Sequence, residues 1–121
     1  MEEKHHTLLT QIASAIADKK GRNIIALDTS ELPMFASSVI IAEGNVDRHV
    51  RAIANEVEVT LKEVGVTPAY TEGKSSGDWM VLDYVDIVVH LFMPEMREKY
   101  QLERLWSEAD LIDLDIDKVN S

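Results

Sequence analysis

Two segments of the chain place apolar residues at the three- and four-residue spacing of an amphipathic helix. The first carries Leu8, Leu9, Ile12, Ala13, Ile16 and Ala17, and the second carries Val46, Val50, Ile53, Ala54, Val57, Leu61 and Val64. Thr7 and Asn45 stand where a capping side chain is expected, and Gly21 and Gly65 stand where the helices would end. The pattern therefore predicts two helices, each with one buried face.

Five shorter apolar segments have the length and composition of β-strands. They are Asn23–Asp28, Ser38–Ala42, Pro68–Thr71, Trp79–Asp83 and Asp86–Phe92. Only a short acidic turn separates the last two, which predicts an antiparallel hairpin. Pro94 favours the first turn of a helix through Tyr100, and further apolar contacts are expected from Leu102, Leu105 and Trp106.

The order of these elements predicts a single α+β domain over residues 1–121. It has a mixed β-sheet covered by helices, followed by a C-terminal hairpin and short helices. Residues 111–121 alternate acidic and apolar side chains, a pattern typical of an edge strand and equally of a solvated acidic tail. With 121 residues and 45% apolar side chains, the chain can bury one core and fold alone.

The net charge of -10 changes the set of partners that the chain can bind. An acidic surface repels phosphate backbones and lacks the lysine and arginine contacts that dominate nucleic-acid affinity. We therefore expect little direct nucleic-acid contact and a preference for basic protein partners. The chain has no cysteine, no apolar run of membrane-spanning length and no signal-peptide layout at its start, which together predict a cytoplasmic protein without membrane association.

Trp79 and His90 are the two side chains of the hairpin that invite a functional interpretation. Alternation along the first strand places Trp79, Val81 and Asp83 on one face. A tryptophan there is either a core residue or an interface anchor, since large aromatic side chains are favoured in both places. For His90, a buried and hydrogen-bonded ring is the simpler interpretation.

Three further motifs imitate ligand sites but each lacks an essential part. Gly73-Lys74-Ser75 resembles the end of a phosphate-binding loop, but a strand rather than a helix follows it. A calcium loop would start at Asp113, Asp115 and Asp117, but Lys118 occupies the required glycine position. A metal site on His90 would need distant ligands, namely His5, His6 or His49. The sequence therefore predicts neither a cofactor nor a metal.

Two blocks of sequence resemble the ribosomal silencing factor family, also called Iojap-like proteins. The first block follows the family pattern at Glu72, Gly73, Trp79, Asp83, Tyr84, Asp86, Val88, Val89, His90, Phe92, Arg97, Tyr100, Leu102, Glu103, Leu105 and Trp106. The second block runs from Gly44 through Arg48-His49-Val50 to Ala54. The two blocks occur in the family's order and with its spacing, and both lie within residues 44–106.

This resemblance implies a fold, a partner and a mechanism. The fold would be related in layout to the nucleotidyltransferases. The chain would bind the large ribosomal subunit through ribosomal protein number fourteen, block joining with the small subunit sterically and so repress translation. On this basis we expect the contacting or contact-supporting residues to be Trp79, Met80, Asp83, Tyr84 and His90, with Tyr100 and Glu103 in lesser roles.

The implied fold raises an enzymatic alternative, because Asp83 and Asp86 could form a carboxylate pair that holds magnesium for nucleotidyl transfer. Turn chemistry is the competing explanation, since aspartate side chains accept hydrogen bonds from their own backbone at tight connections. A transferase would also show a glycine-serine segment followed by two closely spaced aspartates, and Gly44-Asn45 has no such pair after it. We therefore expect a binding protein rather than an enzyme. Self-association through the hairpin, giving a homodimer, is a third hypothesis.

The chain departs from the family pattern in two places. Val85 stands where the family has glycine in the acidic turn, and a β-branched residue resists positive φ, so we expect a turn of a different type. The segment Ala36-Ser37-Ser38-Val39 replaces an acid and aromatics before the second strand. Contacts that relatives make through those side chains are not expected here.

Overall fold

The computed structural model describes residues 3–32, 36–105 and 109–114, which form one sheet and four helices. In chain order the elements are α1 (Glu3–Asp18), β1 (Arg22–Asp28), β2 (Ser38–Glu43), α2 (Asp47–Lys62), β3 (Tyr70–Glu72), β4 (Trp79–Asp83), β5 (Ile87–Phe92), α3 (Pro94–Tyr100), α4 (Leu102–Leu105) and β6 (Asp110–Leu111).

The sheet is mixed, with the strand order β3-β4-β5-β2-β1-β6. The central pair β2 and β5 is parallel, with Ile41 opposite His90, whereas the other described pairs are antiparallel. The hairpin of β4 and β5 pairs Trp79 with Phe92 and Asp83 with Val88. The predicted α+β class, the mixed sheet and the antiparallel hairpin are confirmed. The nucleotidyltransferase-like layout stays a prediction.

The helices α1 and α2 cover one face of the sheet and bury the main core. This core contains Leu9, Ile12, Ile16, Ile40, Val50, Ile53, Val57, Leu61, Met80, Leu82, Val89 and Leu91, each at most 3% exposed. The apolar stripes of both helices meet the sheet at these side chains, and burial of each is worth roughly 1.5–3 kcal/mol. The helices α1 and α2 therefore support strands β2, β4 and β5 from one face of the sheet.

The opposite face of the sheet is only partly covered. A smaller cluster forms on β1, β2 and β5, from Leu27, Val39, Ile41, Phe92 and Leu102, with Trp79 and Met96 packed against it. On β3, β4 and β5 the remaining side chains of this face are exposed or half-buried. We call these residues the open face: Tyr70, Glu72, Val81, Asp83, Val88 and His90. Cross-strand pairing places them together, because partners directly opposite share a face.

Both predicted helix caps are wrong. Helix α1 begins at Glu3, so Thr7 lies inside it and donates its hydroxyl to the Glu3 carbonyl at 3.0 Å. At α2 the N-cap residue is Val46 and no side chain caps the helix. The Asn45 backbone N–H instead donates to His49 Nδ1 at 2.8 Å.

The predicted glycine stops are confirmed and have different causes. After α2, Gly65 has φ +81°, a conformation that glycine adopts without a steric penalty. After α1, a Cβ on Gly21 would lie 2.3 Å from an Ile16 side-chain carbon, so only glycine lets the chain approach the helix this closely.

Strand β4 and helix α3 have the predicted bounds, whereas β3 is shifted toward the C-terminus. Its ladder starts at Tyr70 opposite Asp83, two residues after Pro68, which has no N–H to donate. An edge strand does form at Asp110–Leu111, against β1. Residues 115–121, the side chain of Leu105 and all of Trp106 lie outside what the structure describes.

Candidate functional site

The hairpin turn between β4 and β5 is unusually tight. Val85 has φ +73°, and the Asp86 N–H donates to the Tyr84 carbonyl at 2.9 Å, which defines a γ-turn. The Tyr84 N–H donates to the Ile87 carbonyl at 2.8 Å and closes the hairpin. The expectation that valine would avoid positive φ here is wrong, because Val85 adopts φ +73° within the hydrogen-bonded turn that joins β4 and β5.

Asp83 stabilises this turn. Its Oδ1 accepts a hydrogen bond from the Val85 N–H at 2.8 Å, as an aspartate before a tight turn commonly does. Asp86 is exposed on the far side of the turn. The turn explanation of Asp83 is thus confirmed, and its other oxygen remains on the open face beside Val88.

Trp79 lies at the centre of an aromatic cluster formed by β4, β5 and α3. Its ring stacks on Phe92 with centroids 4.9 Å apart and meets Tyr100 at 5.0 Å and His90 at 6.0 Å. Phe92 is fully buried, whereas Tyr100 is 45% exposed. Trp79 therefore packs against the core and also contributes to the surface, so its position is compatible with both a core residue and an interface anchor.

His90 is the polar member of this cluster. The Trp79 indole Nε1–H donates to His90 Nδ1 at 3.1 Å, so the neutral ring carries its proton on Nε2. Burial lowers the pKa of His90 to about 4, although the nearby Asp83 carboxylate acts in the opposite direction. At neutral pH the ring is uncharged. The predicted hydrogen bond of His90 is confirmed, and the ring is half-buried rather than fully buried.

Two of the expected contact residues point away from the open face. Met80 is 3% exposed and belongs to the main core under α1 and α2. Tyr84 packs against the same core, and burial, together with the charge of Glu58, raises its pKa to about 12. Its hydroxyl is buried without a hydrogen-bond partner in the described part of the chain. Met80 and Tyr84 are therefore placed to support the hairpin and not to contact a partner directly.

Glu103 belongs to a partly buried ionic network that connects α3 and α4 to the sheet. Arg97 Nε lies 3.5 Å from a Glu103 oxygen, and Arg97 Nη1 donates to the Asn23 carbonyl at 2.6 Å. Nη1 also lies 3.9 Å from Glu43, which accepts a hydrogen bond from Asn23 Nδ2 at 2.8 Å. The role of Glu43 was missed; an acid directly after the apolar run Val39-Ile40-Ile41-Ala42 was its only signal.

The loop before β4 is held in place by a side chain from α2. Arg51 donates to the carbonyls of Lys74 at 2.8 Å and Ser75 at 3.0 Å while it pairs with Asp47. Gly73 allows the loop to approach β4, since a Cβ there would lie 1.9 Å from the Trp79 carbonyl oxygen. The loop thus forms a fixed wall beside Trp79.

The histidines outside the hairpin are dispersed. His5 Nε2 lies 2.8 Å from Ser38 Oγ, His6 Nε2 lies 3.0 Å from the Asp113 carbonyl, and His49 Nε2 lies 2.6 Å from the Lys19 carbonyl. Within residues 3–32, 36–105 and 109–114 no three His, Asp or Glu side chains are grouped to hold a metal ion. No described helix is long and apolar enough to cross a membrane.

The site therefore unites Trp79, His90 and Tyr100, with Asp83 on the same face of the sheet. The family described as "Ribosomal silencing factor during starvation" matches residues 2–121. The chain belongs to the ribosomal silencing factor family. The two sequence blocks that first indicated this family are thus confirmed.

Relatives in the ribosomal silencing factor family cover most of the chain. The ribosomal silencing factor RsfS of Chromobacterium violaceum is 46% identical over 92 residues, which are 76% of this chain and 75% of that protein. RsfS of Bacillus subtilis is 38% identical over 109 residues, 90% of this chain and 92% of that protein. A crystal structure of a C. violaceum protein superposes with a TM-score of 0.82 at 41% identity, over 88% of each chain.

Proposed function

We propose that this chain binds the large ribosomal subunit through ribosomal protein number fourteen, a basic protein, and sterically blocks joining with the small subunit. Translation is repressed without any chemical step, in the cytoplasm. Family membership supports the ribosomal role. The open face and its aromatic cluster support the place of contact.

The observation that carries the proposal is the aromatic cluster at the edge of an acidic, half-buried sheet face. Trp79 is held by three ring neighbours, so it can meet a partner without losing side-chain entropy. Glu72 lines the same cavity as Trp79, and Asp83 pairs with the 53% exposed Tyr70 at the other end of this sheet face. Aromatic anchors with a charged rim are typical of protein interfaces, which bury roughly 800 Å² per partner.

The charge of the chain supports a protein rather than an RNA contact. A net charge of -10 opposes approach to bare phosphates and favours a basic ribosomal protein. Steric blocking requires only that the bound domain occupies the surface where the small subunit docks.

The test is co-sedimentation with purified large subunits, followed by a light-scattering assay of subunit joining. Val88→Lys places a positive charge on the open face, opposite Asp83, and is expected to weaken binding at least tenfold by repelling a basic partner. Val59→Lys makes the same change on α2, where Val59 is 45% exposed, and is expected to bind normally. Trp79→Ala is the second variant, with circular dichroism as the check of folding.

Normal binding by folded Val88→Lys and Trp79→Ala would refute the proposed surface. Binding of the wild type to large subunits without any effect on joining would refute the steric mechanism. Pull-down with isolated ribosomal protein fourteen tests the named partner. A homodimer that hides the open face remains a separate hypothesis, and light scattering across a concentration series tests it.

A further inference from the structure

A cavity of about 380 Å³ opens between the Arg51-held loop, β4 and α3, next to the aromatic cluster. Its lining is formed by Glu72, Gly73, Asp78, Trp79, Val81 and Met96. Small-molecule sites span roughly 300–1,000 Å³, so this cavity is at the small end of that range. Its size suits one side chain of a partner better than a nucleotide or other large cofactor.

The floor of the cavity is apolar and rigid. Trp79 and Met96 are both packed against the smaller core cluster, so neither is free to move into the cavity. Gly73 at φ +88° brings the loop backbone against β4 and sets the width of the opening. A flat indole beside a thioether and a valine is a surface on which a planar group or a chain of methylenes can stack.

The rim of the cavity carries two carboxylates. Asp78 accepts a hydrogen bond from Ser76 Oγ at 2.6 Å, and the charge of Glu72 raises the pKa of the adjacent Tyr70 phenol. In the described part of the chain no basic side chain lies within ion-pair distance of either carboxylate. The cavity therefore combines an aromatic floor with two negative charges that no described side chain neutralises.

We propose that this cavity receives one arginine side chain from the partner protein. The guanidinium stacks on Trp79 and donates hydrogen bonds to Glu72 and Asp78, while its methylenes lie along Met96 and Val81. Arginine fits better than lysine, because its planar fork stacks on aromatic rings and donates to two carboxylates at once. The identity of the partner rests on the proposed function, whereas the preference for a guanidinium does not.

The first experiment tests the cavity without the ribosome. The folded chain is titrated with acetyl-arginine amide, and the Trp79 indole N–H is followed by NMR, assigned with Trp79→Phe. We expect a saturable shift of that signal, and no shift with acetyl-citrulline amide, which has the same shape without the charge. Equal shifts with both compounds, or no shift with either, would overturn the proposal. Glu72→Gln/Asp78→Asn is expected to abolish the response.

The second experiment measures binding to large subunits at two salt concentrations. Glu72→Gln/Asp78→Asn is expected to weaken binding about tenfold and to reduce its salt dependence, since two charge-assisted hydrogen bonds are lost. Asp18→Asn/Glu63→Gln removes the same charge from exposed positions at the C-terminal ends of α1 and α2 and is the matched control.

The two experiments separate the cavity from the proposed function. If the cavity variant binds subunits like the wild type while Val88→Lys does not, the open face stands and the arginine cavity is refuted. If the wild-type chain does not bind subunits at all, the proposed function is refuted and the NMR titration alone decides whether the cavity selects a guanidinium. If the cavity variant and the control lose the same affinity for large subunits, the effect is due to overall charge and the proposed arginine site is refuted.

Discussion

Val85 is a β-branched residue with positive φ, a conformation that such residues disfavour. We therefore predict that glycine is more stable than alanine at this position, the reverse of their order inside a helix. Its φ of +73° costs an L-residue roughly 1–2 kcal/mol that glycine does not lose. Glycine loses about 0.5–1 kcal/mol more conformational entropy on folding than alanine. The difference favours glycine, so Val85→Gly should be more stable than Val85→Ala by up to about 1.5 kcal/mol.

Val59 provides the matched control for this comparison. It is an exposed valine, 45% against 61% for Val85, but it lies inside α2 with helical backbone. There, glycine is about 1 kcal/mol less favourable than alanine. The same pair of substitutions should therefore change order between positions 85 and 59. Both members of each pair lose the same valine side chain, so the burial of that side chain drops out of the comparison.

Urea and thermal unfolding, followed by circular dichroism, measure these differences. For a chain of 121 residues, 1 kcal/mol corresponds to a shift in Tm of about 4 °C. We expect Val85→Gly to melt a few degrees above Val85→Ala, and Val59→Gly to melt a few degrees below Val59→Ala. If alanine is the more stable residue at both positions, Val85 does not have positive φ in solution and the γ-turn is wrong.

Three further predictions concern the interior. The folded pKa of His90, about 4, lies below the ordinary value of 6.5, so the unfolded chain binds the extra proton first as pH falls. The free energy of unfolding should therefore decrease by up to about 3 kcal/mol between pH 6.5 and 4. In urea titrations at each pH, His90→Gln should remove much of that dependence. Arg97→Ala should lower the free energy of unfolding by about 3–5 kcal/mol, because Glu43 is left buried without its cation. Glu98→Ala, on the exposed side of α3, should lower it by under about 0.5 kcal/mol. Similar losses in both variants would refute the ionic network. Met80→Ala should lower stability by about 2–5 kcal/mol; a folded variant of unchanged stability that still lost subunit binding would show that Met80 is a contact residue after all.

The elements of this fold could be predicted where local patterning and packing agree. Strand β4 and helix α3 have their predicted bounds because Pro94 and the alternating apolar residues of the hairpin satisfy the same preferences locally and in the sheet. The caps at Thr7 and Asn45 could not be predicted in this way. Each side chain or backbone group found a partner that the neighbouring helix turn supplied.

The candidate site was predicted residue by residue but not as an arrangement. Alternation along β4 separates Trp79 from Met80, yet the sequence does not say which face the helices cover. Tertiary packing answers this: Met80 lies in the core under α1 and α2, whereas Trp79 packs against Phe92 and against Tyr100 of α3. The cavity also depends on Arg51, which holds a loop more than twenty residues away along the chain.

By itself, the sequence determined the fold class, the hairpin, the acidic character and the family. These depend on periodicity, composition and motif spacing, which act over short distances along the chain. Only the tertiary structure decided that Val85 adopts positive φ, that Met80 and Tyr84 face the core, and that Glu72 and Asp78 flank an open cavity. Each of these results depends on which distant segments pack together, and local sequence patterns do not specify that packing.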